Sequence, residues 1–376
     1  MNRFKKSFFN LDWTLFLSTL PLIVFGLITM SSFTAKQYYF DRQLVWVAVS
    51  IVVFFLCSLI DWRFLRRSEV IVSLYTFVIA LLLLLFVVGK VSKGAQSWLS
   101  FGSIALQPAD FVKIVLIGML AKYFSRRHVE IANIRHIIIS GIYAFIPFVL
   151  ILVQPDFGSA LIIFAIWLGM AMVSGISKKH LLTIFAIGAI AFSVGWVFVL
   201  HPYQKARVTA FIHPLADIRG AGYNAFQSMV AVGSGQVLGK GVGYGTQSRL
   251  NFLPEYQTDF IFSAFAEEWG LVGVAFVFLL FGLMAWRLIS IAMLGATNFE
   301  TLFTVGVAIY LMAHFVVHVG MNIGLMPITG LPLPFMSYGG SHLLAEFIAL
   351  GMVMGMRKYS LAYHRGDVAN EFIGPQ

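Results

Sequence analysis

Apolar and polar positions alternate along this chain in long blocks, with no sign of the short period of a soluble sheet. Near-continuous apolar runs lie at residues 13–32, 44–60, 69–89, 109–124, 137–153, 158–176, 181–200, 260–286, 301–321 and 342–356. Most approach the ~20 residues that carry a helix across a hydrocarbon core of ~30 Å. The pattern predicts an all-α integral membrane protein of about ten transmembrane helices, forming one polytopic domain over residues 1–376. The fourth run is broken by Asp110 and Lys113, so a re-entrant or tilted segment fits it as well as a span. One long polar stretch, about 201–258, parts the seventh run from the eighth.

Composition settles the class: 59% hydrophobic and 11% charged residues, with a mean hydropathy of +0.87, exclude a soluble domain. Charge then orients the chain. With the N-terminus in the cytoplasm, sixteen Lys and Arg fall on inner segments and four, Lys36, Arg42, Lys90 and Lys93, on short outer loops. By the positive-inside rule both termini face the cytoplasm and the 201–258 loop faces outward. That asymmetry accounts for most of the net charge of +10 through contact with the lipid bilayer's anionic inner leaflet, with no nucleic acid needed to explain it. The first run follows a basic start but is too long for the core of a signal peptide, and reads as a retained anchor. Cys57, the single cysteine, precludes an intrachain disulfide.

Ionised groups inside a membrane cost several kcal/mol unless paired or hydrated, so embedded acids mark candidate chemistry. Asp259, where the polar stretch meets the eighth run, is the best placed for proton transfer, because an edge carboxylate is partly desolvated yet within reach of water. Asp110 and Asp156 share its outer level. Lys113 lies one helical turn beyond Asp110 and forms either a structural salt bridge with it or half of an anion site. Glu267 and Glu268 should lie about 12 Å below Asp259 at a rise of ~1.5 Å per residue, either hydrogen-bonding between helices or lining a proton path. His314 and His318 share a helix face, as a metal pair would or a packing pair. Residues 221–238 read as a short interfacial helix. The glycines around Lys240 form either a phosphate cradle or a flexible turn.

An ordered set of segments identifies the chain more sharply. It includes Gly94-Ala95-Gln96-Ser97-Trp98, Gln107-Pro108-Ala109-Asp110 with Lys113, Gln154-Pro155-Asp156-Phe157-Gly158 and Pro202-Tyr203-Gln204-Lys205-Ala206-Arg207. It continues through Gly239-Lys240-Gly241, Phe252-Leu253-Pro254-Glu255 with Thr258-Asp259, and Gly330-Leu331-Pro332-Leu333-Pro334-Phe335 with Ser337-Tyr338-Gly339-Gly340-Ser341. Over nearly its whole length the chain resembles the SEDS family of bacterial cell-wall proteins, and Tyr203-Gln204 ahead of Arg207 resembles the elongation-associated branch. Two positions depart from the family pattern: Asp110 stands where a glutamate is usual, and Ser97 where many relatives have arginine.

The resemblance implies a peptidoglycan glycosyltransferase that polymerises lipid II at the outer face of the cytoplasmic membrane, beside a class B penicillin-binding protein that crosslinks the strands. It implies Asp259 as general base, and Mg²⁺ or Mn²⁺ assistance held largely by the substrate's pyrophosphate. Lys113, Lys205, Arg207 and Lys240 are the candidate cations for that pyrophosphate, with Asp110 and Asp156 beside them. Trp98, in a loop at the interface, either stacks on a sugar or anchors a helix. Two other classes stay open: a lipid II flippase, which the deep placement of Glu267 and Glu268 favours, and a non-catalytic scaffold of the cell-wall machinery.

Overall fold

The computed structural model describes residues 11–32, 37–92, 95–101, 104–126, 134–198, 205, 209, 211–212, 222–250 and 252–371. A helix occupies each of the ten predicted positions: α1 Trp13–Ser31, α2 Gln37–Leu59, α3 Ser68–Val88, α4 Pro108–Ser125, α5 Ile134–Val153, α6 Phe157–Val173, α7 Lys178–Phe198, α10 Ile261–Met293, α11 Asn298–Asn322 and α12 Gly340–Glu371. Seven of them (α1, α2, α3, α5, α7, α10 and α11) are long and apolar enough to cross a membrane. Between α7 and α10 lie α8 Tyr223–Ser234 and the single turn α9 Thr246–Arg249. Strands β1 Lys90–Ser92, β2 Ala95–Phe101 and β3 Ile104–Leu106 form a small antiparallel sheet ahead of α4.

The bundle is built by apolar stacking. α12 packs along α2, α10 along α11 and α1, and α4 between α3 and α11. Lipid is as apolar as Leu, so close packing rather than water exclusion drives these helices together. The Phe281 and Phe315 rings, for example, stack 4.2 Å apart between α10 and α11. Helix α7 buries none of its described residues.

Ion pairs mark the end that the charge pattern assigns to the cytoplasm. Asp12 caps α1 through the Leu15 N–H at 3.0 Å and receives Arg287 from α10 and Arg357 from α12. Likewise Arg66, in the 3₁₀ turn after α2, binds Glu300 at the start of α11.

The eighth apolar run departs from the sequence expectation. At Gly270 (φ 62°, ψ −163°) α10 leaves helical geometry, and its two limbs double back. The Phe262 and Phe278 rings lie 6.5 Å apart, where a straight helix would part them by about 24 Å. A Cβ on Gly273 would sit 3.2 Å from the Phe265 ring. Residues 261–269 are thus the ascending limb of a helical hairpin, and 271–293 form the span.

The glycine-rich segment clamps the hairpin tip. Lys240 and Gly241 donate their N–H groups to the Glu267 and Glu268 carbonyls, closing the first limb, while Leu271 and Val272 donate to the Gln236 and Val237 carbonyls, opening the second. These are the groups that helix ends leave unsatisfied. A Cβ at Gly239 would fall 2.1 Å from the Glu268 carbonyl oxygen.

This reverses the predicted depth of the two glutamates. Glu268 accepts a 2.7 Å hydrogen bond from Ser32 at the outer end of α1, so the tip stands at the outer membrane level. Asp259, one nine-residue limb away, lies about 13 Å deeper. The loop before α12 agrees. Its Met336 carbonyl presses on Gly26 of α1, about 9 Å below Ser32, and the same loop holds residues 257 and 258.

Candidate active site

A recessed floor gathers the starts of several helices. The loop from Thr329 to Gly339 crosses it, touching α6 at Gly158 and α2 at Gln43, whose side chain binds the Ser337 carbonyl and the Gly339 N–H. Gln107, just before α4, receives Ser341 at its carbonyl and donates its amide to Asp156 at 2.9 Å. Asp110, Asp156 and Asp259 therefore share a level, as their spacing predicts, but below the outer surface.

Asp259 sits on backbone fixed from four sides. Its N–H donates to the Glu255 carbonyl and its own carbonyl accepts from Asn322 Nδ2, both at 3.1 Å. The neighbouring Thr258 carbonyl accepts from Ser337 Oγ and the Gln257 carbonyl from the Tyr338 N–H, each at 2.8 Å. Buried Asn322 is itself locked by Ser263 at 2.6 Å. Asp259 is partly exposed, and a Cβ added to Gly330 would stand 3.5 Å from its Oδ2. Glycine there is called for by the backbone, whose φ of 73° lies in the left-handed region. A partly exposed acid on rigid backbone in a membrane recess has the setting of a general base.

Asp110 is differently placed. Lys113 Nζ lies 3.0 Å from its Oδ1 and His342 Nδ1 3.3 Å from the same oxygen, with all three side chains under 8% exposed. His342 Nε2 in turn lies 2.9 Å from Glu346 Oε1, and Glu346 Oε2 accepts the Phe335 N–H. Lys113 also approaches His314 Nε2 at 3.4 Å. The result is a chain of buried charge joining α4, α11 and α12. Sequence reading finds Asp110, Lys113 and His314, but misses His342. The i, i+4 spacing of His342 and Glu346 at the start of the last run is the signal that could have found it.

The remaining candidates fall as follows. Asp156 spends both oxygens on the fold, capping α6 at the Ser159 N–H and holding Gln107. Lys240 is paired with Glu267 at 2.7 Å and bonded to Thr246 at 2.9 Å, beneath the hairpin tip. Glu267 also accepts from the N–H groups of Thr246 and Gln247 at the start of α9. Both membrane glutamates thus serve the clamp, which matches the hydrogen-bonding reading and not a proton path. Trp98 lies in β2, opposite Lys90, where a loop was expected. Lys205 is described and Arg207 falls outside the described residues.

His318 donates from Nδ1 to the Leu331 carbonyl at 2.7 Å while His314 turns to Lys113, as packing histidines would. Among the described residues no three His, Cys, Asp or Glu side chains converge to hold a metal. Asp259 offers a single carboxylate, so any divalent ion here would need the substrate for most of its ligands.

Comparisons with known proteins agree with this fold. Residues 9–361 match the family model for the cell cycle proteins FtsW, RodA and SpoVE. The chain is 34% identical over 361 residues to the peptidoglycan glycosyltransferase MrdB of Escherichia coli K12, covering 94% of this chain and 96% of that one. To stage V sporulation protein E of Bacillus subtilis it is 33% identical over 359 residues, covering 93% and 97%. Among solved structures, it is similar to one of a peptidoglycan synthase complex that coordinates polymerization and crosslinking, with a TM-score of 0.80 at 29% identity, covering 93% of this chain and 98% of that chain. It is also similar to the rod shape determining protein RodA of Thermus thermophilus, with a TM-score of 0.70 at 28% identity, covering 93% and 97%.

Proposed function

The chain belongs to the FtsW, RodA and SpoVE family of cell cycle proteins, the SEDS family, and we propose that it polymerises lipid II during cell elongation with Asp259 as general base. It is a multi-pass protein of the bacterial cytoplasmic membrane and a peptidoglycan glycosyltransferase. The observation that carries the residue assignment is the recess: Asp259 is a partly exposed acid on pinned backbone, beside Gly330. The elongation role rests on Tyr203-Gln204 ahead of Arg207. The partner is a class B penicillin-binding protein that crosslinks the new strands.

In the proposed step the 4-hydroxyl of an incoming GlcNAc attacks the anomeric carbon of a lipid-linked MurNAc. Asp259 takes the hydroxyl proton as the new glycosidic bond forms, and undecaprenyl pyrophosphate leaves with the electron pair of the broken bond. A positioned base is worth about 10² to 10⁴ in rate. The leaving pyrophosphate gathers charge that Lys205 and Arg207 are the remaining candidates to meet, since Lys113 is buried against Asp110 and Lys240 is paired with Glu267. A divalent cation arriving with the substrate would supply further charge stabilisation. Lys113 and Asp110 act from beneath, holding the floor on which the substrate rests. The flippase alternative loses its main support, because Glu267 and Glu268 rise to the outer level and anchor a loop.

The test is polymerisation of purified lipid II by this protein with its partner synthase, the partner's transpeptidase blocked. Asp259→Asn and Asp259→Ala should each lose at least about 10² in rate at equal folded yield while still retaining lipid II. Undiminished strand synthesis by either variant would remove Asp259 from the role.

A further inference from the structure

At the cytoplasmic face, far from the recess, the inner ends of α4 and α11 and the turn after α2 leave a cavity of about 200 Å³ lined by Arg66, Lys122, Ser125, Thr297, Asn298 and Phe299. Its charge is unbalanced. The Arg66 guanidinium is matched by Glu300, with Nε 2.7 Å from Oε1, and the other Glu300 oxygen accepts from the Thr297 hydroxyl. That carboxylate is fully used. The Lys122 ammonium donates only to the Arg66 carbonyl, while Arg66 and Arg126 both stand within electrostatic reach of it. Among the described residues no carboxylate pairs with Lys122 or Arg126. Arg66 and Lys122 line the cavity and Arg126, one helical turn beyond Lys122, stands within its electrostatic reach; among the described residues these three cations face one acid, beside a cavity several times the ~30 Å³ share of a water molecule. Nearby like charges disfavour one another unless an anion joins them.

The setting names the anion. The cavity lies at the inner headgroup level, where α4 ends and α11 begins, and the inner leaflet is rich in anionic lipid. We propose that it binds the phosphate of an anionic phospholipid headgroup, with Lys122 and Arg126 as its cationic contacts and the Asn298 amide as a hydrogen-bond donor. The first N–H groups of α11 add positive potential, because the Thr297 side chain does not cap them. Arg66 and Glu300 form the neutral wall. Free inorganic phosphate offers the same chemistry without acyl chains, and the two sources are separable.

The test uses the full-length protein in detergent, exchanged against phosphatidylglycerol or phosphatidylcholine, with bound lipid counted by native mass spectrometry. Wild type and Lys178→Gln, which removes an inner cation elsewhere, should retain phosphatidylglycerol. The Lys122→Gln/Arg126→Gln variant should bind it about 30-fold more weakly, from ~1 kcal/mol per lost cation. Phosphatidylcholine retention should be equal in all three. A charge-conserving Lys122→Arg/Arg126→Lys variant should behave as wild type, which separates lost charge from lost folding. Equal phosphatidylglycerol retention by wild type and the double Gln variant would overturn the site. A second arm titrates inorganic phosphate and follows thermal unfolding. Stabilisation of wild type by phosphate, absent in the double Gln variant and without lipid retention, would assign the cavity to a soluble anion and overturn the lipid.

Discussion

Two carboxylates on one floor, Asp259 and Asp110, are given different work by what surrounds them. Asp259 is partly exposed and lies beside Gly330, the setting on which its proposed role as general base rests. Asp110 is enclosed with Lys113 and His342, a pairing that argues for a structural value. Removing one member of a buried ion pair costs about 3–5 kcal/mol, because the other is left charged without compensation. Lys113→Met should therefore lower the unfolding temperature in detergent sharply, and adding Asp110→Asn should recover most of the loss. A double variant no more stable than Lys113→Met would mean that the pair is not a closed unit. The candidates legible in the sequence are acids and lysines standing out against apolar runs. Their partners are not legible: Asn322 and His342 reach Asp259 and Asp110 from 63 and 232 positions away, and no local pattern encodes such pairings.

At the scale of elements, the instructive case is α10. Residues 260–286 read as one span because both limbs of the hairpin are apolar and neither contains proline. Hydrophobic periodicity reports a helix's face but not its direction, so the pattern places Glu267 and Glu268 at the right distance from Asp259 along the chain and with the wrong sign. Gly270 carries the reversal. Its φ of 62° disfavours any side chain, and a Cβ would stand 2.3 Å from the Gly239 nitrogen. Backbone strain of this kind costs about 1–3 kcal/mol before the clash is counted. Gly282 lies in the second limb with nothing within 4 Å of an added methyl, and alanine there should gain about 0.5–1 kcal/mol of helix propensity. Gly270→Ala should thus reduce folded yield and unfolding temperature while Gly282→Ala matches or exceeds wild type. Equal behaviour of the two would mean that α10 runs straight. The small sheet around Trp98 escapes notice for a simpler reason, since its outer strands are three residues long and leave too short an alternation to detect.

For the whole molecule, the two ends of the bundle carry different chemistry, and the orientation decides which is which. The inner end is closed by Asp12 with Arg287 and Arg357 and by Arg66 with Glu300, while the outer end opens to a floor set about 13 Å below the hairpin tip. A sugar-transfer site placed there meets a lipid-linked substrate whose pyrophosphate lies near the interface, and the recess limits competing water. This arrangement requires the clamp to face outward and the α6–α7 turn inward. In a Cys57→Ser background, Leu238→Cys at the tip, 80% exposed, should react with a membrane-impermeant maleimide on intact spheroplasts. Lys179→Cys, exposed at the start of α7, should react only after permeabilisation. Thr258→Cys, beside Asp259, should label from outside but more slowly than Leu238→Cys, because the reagent must descend into the recess. Fast labelling of Lys179→Cys on intact spheroplasts would invert the topology and move Asp259 to the wrong side for external polymerisation. Equal rates at 258 and 238 would leave the topology standing but bring the floor up to the surface, and the hairpin's depth argument would fall with it.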